Sequence, residues 1–175
     1  MSKTKREAIA AMKVLQPFIG RSQMSCLASA FRGEEKQFFF DKLCEMADLV
    51  QAMPKTYDQD GLGDKAVAHL HYFTGSCDWW ITEKDKETAD EPGQHQAFGL
   101  ASFGDEPELG YISIVELLAN GAELDLYWTP KTIGGIRGKT IMQPRLDWVP
   151  IGRIEEPATP QPQSPLPSWR RLAIQ

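Results

Sequence analysis

The sequence predicts an α+β protein: an N-terminal helical segment, a small, mostly antiparallel sheet with one short helix, and a Pro-rich C-terminal tail. Three observations carry that prediction. Apolar residues recur at helical spacing through residues 4–53, β-forming runs separated by Gly-, Asp- and Ser-rich turns fill residues 66–128, and Pro recurs through residues 157–167.

The first helix opens at Thr4-Lys-Arg-Glu7, which has the S/T-x-x-E form of a capping box, and Ala8, Ile9, Met12 and Leu15 follow at helical spacing. Pro17 should end it. Ser22 can cap a short second helix running to Phe31. Gly33 followed by Glu34 and Glu35 opens a third, since acidic side chains suit a helix N-terminus. Phe39, Leu43, Met46, Val50 and Met53 form one stripe of that helix, widened by Phe38, Phe40, Cys44 and Leu49, and Pro54 terminates it. The polar stretch Thr56–Asp64 reads as a connection, because its Gly and Asp residues favour turns.

Ala66–Phe73 and Trp79–Glu83 flank the turn-like Thr74-Gly-Ser-Cys-Asp78 and predict a hairpin, with Trp79 and Trp80 on opposite faces. A long hydrophilic loop spans 84–96. Strands follow at 97–103 and 109–112, then a short helix, Ile114–Asn120, with Ser113 as cap and Gly121 closing it in a left-handed position. Glu123–Trp128 alternates as a strand with Leu124, Leu126 and Trp128 inward. Beyond Pro130 the pattern weakens. Thr132-Ile-Gly-Gly-Ile-Arg-Gly-Lys139 lacks the order of a phosphate-binding loop and reads as a flexible turn. Residues 155–167 have the composition of an extended spacer, and Ser168–Gln175 either fold back or present a docking peptide. The organisation is a helical segment, 1–55, an α+β domain, 56–136, and an extension with the Pro-rich tail, 137–175.

Several function classes are disfavoured. No apolar run reaches the roughly 20 residues of a membrane span. Lys13 interrupts the first apolar stretch before it reaches signal-peptide length, so neither a membrane role nor export is expected. Cys26, Cys44 and Cys77 form no C-x-x-C pair, which points to a reducing compartment. The net charge of -5 is uneven: residues 1–55 carry nine Lys and Arg against six Asp and Glu, whereas residues 56–129 carry three against fifteen. An acidic field repels phosphates and attracts basic surfaces, so the middle of the chain suits a basic protein partner better than nucleic acid. The basic termini keep nucleic-acid binding as an alternative.

The runs Ala97-Phe-Gly-Leu-Ala-Ser-Phe103, Glu108-Leu-Gly-Tyr-Ile-Ser-Ile-Val-Glu-Leu117 and Glu123-Leu-Asp-Leu-Tyr-Trp-Thr-Pro-Lys-Thr132 resemble a domain of unknown function carried mainly on plasmids, integrative elements and phages. Met53–Gly61, His69-Leu-His-Tyr-Phe73 and Asp78–Asp85 extend that resemblance over about residues 53–136. What it implies is a setting, the bacterial cytoplasm and mobile-element cargo that blunts host defence or regulation, without an assigned activity.

The leading expectation is therefore a non-enzymatic mobile-element accessory protein, of the anti-defence type, that binds and blocks a host protein or nucleoprotein with a basic surface. Asp78, Glu83, Asp85, Glu108 and Asp125 supply charge, and Trp80 and Tyr127 supply aromatic anchors. No catalytic residue and no cofactor is assigned. The alternative from another class is a metal-dependent hydrolase or nuclease-like enzyme using His69 and His71, two apart on a strand, with Asp78 or Glu83 from its neighbour. Carboxylates including Glu116 could form an acid/base pair, but solvated surface is the simpler reading.

Overall fold

A computed structural model describes residues 2–142, with side chains described as far as Gly138. The spacer and the last eight residues of the sequence lie outside the described residues. The fold is α+β, as the sequence predicts. Helix α1 (Lys5–Leu15) opens with the expected reciprocal cap: the Thr4 hydroxyl accepts from the Glu7 N–H at 3.3 Å, and the Glu7 carboxylate accepts from the Thr4 N–H at 2.7 Å. Helix α2 (Arg21–Ala30) starts after Gly20 with no side-chain cap, so Ser22 lies inside it. Helix α3 (Lys36–Ala52) begins after the acidic pair, and Leu43, Met46 and Val50 of its stripe are buried while Phe38 at its start is exposed.

A five-stranded antiparallel sheet receives these helices. Strands β1 (Val67–Ala68), β2 (Leu70–Thr74), β3 (Cys77–Glu83), β4 (Ala97–Ser102) and β5 (Glu108–Ile112) precede the short helix α4 (Ile114–Ala119), and β6 (Glu123–Leu124) follows it. The sheet order is β5-β4-β3-β2-β6. On one face Leu70, Tyr72, Trp79, Ile81 and Leu124 share a core with Leu15, Leu43, Met46 and Val50, so the change from helix to sheet near residue 55 is not a break between cores. Each fully buried Leu contributes about 1.5–3 kcal/mol relative to exposure. The Tyr72 hydroxyl donates to the Phe18 carbonyl at 2.8 Å inside this core.

The second face differs from expectation. Of the alternating run Glu123 and Leu124 pair with β2, and the Asp125 N–H still donates to the His71 carbonyl at 2.8 Å; beyond it the chain turns away, the Asp125 carboxylate accepting the Tyr127 N–H at 2.9 Å. Trp128 consequently leaves the helix-side core and packs on the opposite face, its indole N–H donating to the Ala68 carbonyl at 3.2 Å. The Gly-rich run is not a flexible turn either. Strand β7 (Lys131–Thr132) pairs antiparallel with β1, and helix α5 (Ile133–Met142) buries Ile133 and Ile136 against Ala66, Ala68 and Leu100. Gly134 serves close packing there: a Cβ would lie 3.2 Å from the Asp64 Cβ. Arg137 holds the same Asp64 at 3.0 Å.

Candidate functional site

Two clusters occupy the sheet face opposite α1–α3. Toward β6, His71 stands across from Trp80 and lies between two carboxylates. Its Nε2 is 2.8 Å from Asp78 and its Nδ1 3.2 Å from Asp125. The imidazole stacks on Trp80 at 5.4 Å and 11°, and the Trp128 ring meets it at 5.1 Å, tilted by 44°. The Lys131 ammonium sits 4.4 Å over the Trp128 ring. The sequence-predicted Asp78, Trp80 and Asp125 thus come together, but around a histidine whose two nitrogens they engage. Tyr127 is next in the chain to this cluster but turns outward, 70% exposed, and stacks on Phe38 at 6.2 Å with Lys42 5.9 Å from its ring.

A metal ligated by His71 would have to displace one of its carboxylates. Burial holds the His69 imidazole below the usual histidine value. Among the described residues no group of three or more His, Cys, Asp and Glu side chains is arranged to hold a metal ion.

Toward β5 a second cluster forms around a β-bulge. Trp80 opposes Leu100, Ile81 opposes Gly99, and Glu83, rather than Thr82, opposes Phe98. The extra residue moves Glu83 off the helix-facing side that strict alternation would give it and onto the face of Phe98. There Glu83 is 3% exposed and accepts the backbone N–H groups of Tyr57, at 3.1 Å, and of Gln59. Gln59 is pinned in turn: its amide donates to the Val67 and Thr82 carbonyls and accepts the Val67 N–H. Glu83 therefore organises the 56–64 connection and presents no charge to a partner, a correction to its expected role.

This anchoring fixes Tyr57 at φ +80°, a left-handed conformation that a bulky residue adopts only when its surroundings impose it. Its hydroxyl meets that of Tyr111 at 2.7 Å, and Tyr111 packs edge-on against Phe98 at 5.4 Å. The hydrogen bond with Tyr57, then desolvation, then nearby negative charge push the Tyr111 phenol above its usual value. The two tyrosines border a cavity of about 470 Å³ that Phe98, Leu109, Asp60 and Glu83 also line. Leu109, Tyr111, Tyr57 and Phe103 are 41%, 57%, 60% and 67% exposed, a concentration of apolar surface at the β5 end of the sheet.

The remaining acids divide. Asp85 accepts three backbone N–H groups, from Glu87, His95 and Gln96 at 2.8–3.0 Å, and so closes the 84–96 loop. Glu108 is exposed on β5 beside Asp105 and Glu106 around a depression of about 340 Å³. The candidate partner residues consequently do not form one patch. Tyr57, Tyr111, Leu109 and Phe103 were not among the residues expected to bind: Tyr57 lies within the turn-rich 56–64 connection and Phe103 adjoins the Gly104–Pro107 turn, whereas Leu109 and Tyr111 are alternate residues of β5 with no local signal that sets them apart. A larger depression, about 1050 Å³, lies between α1, α2 and α4, is lined by Met12, Met24 and Leu118, and contains none of the candidate residues.

No family model, curated protein or solved structure matches the chain. Among the described residues no helix is long and apolar enough to cross a membrane.

Proposed function

We propose that this protein is a non-enzymatic binding module of mobile-element type that docks on a basic surface of a host protein or nucleoprotein and blocks it. The observation that carries the reading is the conjunction at β5 of exposed Leu109, Tyr111, Tyr57 and Phe103 with the exposed carboxylates of Asp60, Asp105, Glu106 and Glu108. Aromatic side chains beside a cluster of carboxylates combine hydrophobic contact with electrostatic steering, and the Lys86 ammonium, 5.2 Å over the Tyr57 ring, is a basic group at the edge of this surface. The docking residues are then Glu108 from the sequence-level set, joined by the tyrosines. Asp78, Trp80 and Asp125 form a supporting cluster around His71. The mobile-element setting rests on the resemblance of residues 53–136 alone.

The experiment is capture of partners by the tagged full chain from nuclease-treated bacterial lysate at moderate salt, with a Glu106→Lys/Glu108→Lys variant beside it. Neither glutamate makes a side-chain hydrogen bond or ion pair among the described residues, so the variant keeps its thermal transition. The reading expects a stoichiometric protein retained by the wild type and lost by the variant. Equal retention by both, or capture that disappears with nuclease, overturns it.

A further inference from the structure

The sheet's two edges are finished differently. At one, β6 is two residues long, and Gln23 of α2 covers it: the Gln23 amide donates to the Leu124 carbonyl at 2.7 Å and accepts the Leu124 N–H at 3.1 Å. At the other, β5 is five residues long, and beyond its pairing with β4 residues 108–111 make no backbone hydrogen bond among the described residues. Every second residue of an antiparallel edge strand turns its N–H and C=O outward. Edges are usually blunted by Lys, Pro, a bulge or a covering element. Leu109-Gly-Tyr111 has no such residue within it and no bulge in its register with β4.

A strand laid along β5 would send alternate side chains to two different surfaces. On the face of Leu109 and Tyr111 they meet the aromatic cavity beneath Tyr57. On the face of Glu108 and Gly110 they meet the depression edged by Phe103, Asp105 and Glu106. A second copy of this chain would bring the same carboxylates to the same edge, so like charges oppose β5-to-β5 pairing.

We infer that β5 takes up an extended segment of a partner protein as an additional strand, one that alternates apolar residues toward Tyr57 and Tyr111 with Lys or Arg toward Asp105, Glu106 and Glu108. Backbone pairing supplies the generic part of the affinity and the two surfaces supply selection. This rests on the docking reading above and adds the partner's local conformation and sequence pattern.

The test uses the full chain and fluorescein-labelled Lys-Val-Lys-Val-Lys-Val-Lys, its Glu-for-Lys counterpart, and two N-methylated versions of the lysine peptide, each methylated on one alternate set of residues. The lysine peptide binds roughly tenfold or more tightly than the glutamate peptide, Glu106→Lys/Glu108→Lys reverses that order, and binding protects from exchange the alternate amides of β5 that face away from β4. Methylation of one set weakens binding by about tenfold or more, while methylation of the other does not, because only one set of N–H groups faces β5. Absence of binding, equal effects of the two methylations, or protection elsewhere overturns the strand-addition inference. If the lysate partner is still lost on charge reversal in that case, the docking reading survives without it.

Discussion

Replacing Glu83 with Gln separates a structural role for this carboxylate from a partner-binding one. The side chain is 3% exposed and accepts two backbone N–H groups from a connection that carries no regular secondary structure at those positions. Hydrogen bonds to a charged acceptor contribute about 1.5–3 kcal/mol each, and a buried donor left without one costs about 1–3 kcal/mol. Gln keeps a single oxygen and turns an amide NH₂ toward the other donor, so one bond is lost and the other loses its charge assistance. The expected destabilisation is about 2–4 kcal/mol, a large share of the roughly 5–15 kcal/mol that such a domain holds. Urea unfolding followed by Trp fluorescence measures it, and amide exchange at Tyr57 and Gln59 localises it. Release of these two amides lets Tyr57 leave φ +80°, which separates its hydroxyl from that of Tyr111. An unchanged urea midpoint with both amides still protected would refute the assignment of Glu83 as the anchor of this connection.

Other perturbations test the frame around the site. Tyr72→Phe removes the hydroxyl that donates to the Phe18 carbonyl in the core and should cost about 1–2 kcal/mol in urea unfolding, without loss of secondary structure by circular dichroism. Gly99→Ala puts a Cβ 2.1 Å from the Trp80 carbonyl oxygen, so β3 and β4 must separate; it should lower stability by about 3 kcal/mol or more, whereas Gly110→Ala, with nothing within 4 Å, should leave the thermal midpoint nearly unchanged. For Asp85, desolvation works to raise the carboxyl's pKa, but the backbone N–H groups of Glu87, Gln96 and His95 outweigh it and hold the group below its ordinary value. The unfolded chain then binds the proton more readily than the folded one, so this stabilisation is present above about pH 3.9 and is lost as pH falls through the lower, folded value. Asp85→Asn should lower stability at neutral pH and flatten that acid-side decline in urea midpoints measured from pH 6 down to pH 2.

Local signals made much of this fold legible. The Thr4–Glu7 box, the stripe of α3, the Ser113 cap and Gly121 at φ +80° each depend on residues close in sequence, and each forms as its pattern implies. The face of Trp79 and Trp80 was legible too, because strand alternation holds as far as Ile81. Alternation then fails at Thr82, where the bulge depends on how β4 pairs, and no residue within β3 announces it. Glu83 was expected at the surface because it is charged, and neither strict alternation nor its neighbours in sequence indicate the buried position on the Phe98 face that the bulge gives it. Trp128 was misplaced for a related reason: Asp125 accepts the Tyr127 N–H and ends the strand two residues after it starts. The glycines of 134–138 suggested a turn, but long-range contact with Asp64 and burial of Ile133 and Ile136 outweigh their low helix propensity. The Tyr57–Tyr111 pair joins residues 54 apart and could not have been read from either neighbourhood.

The most direct test of the account is site-specific photocrosslinking in cells, with a benzophenone side chain at position 109 on β5, at position 28 in the α1–α2–α4 depression, and at position 73 on the His71 side of the sheet. Positions 109, 28 and 73 are all exposed in the structure. The account predicts a discrete crosslinked protein from position 109, lost when Glu106 and Glu108 are reversed to Lys, and none from position 28 or 73. Crosslinking from position 28 or 73 with none from 109 would contradict it and move the binding surface away from the β5 edge.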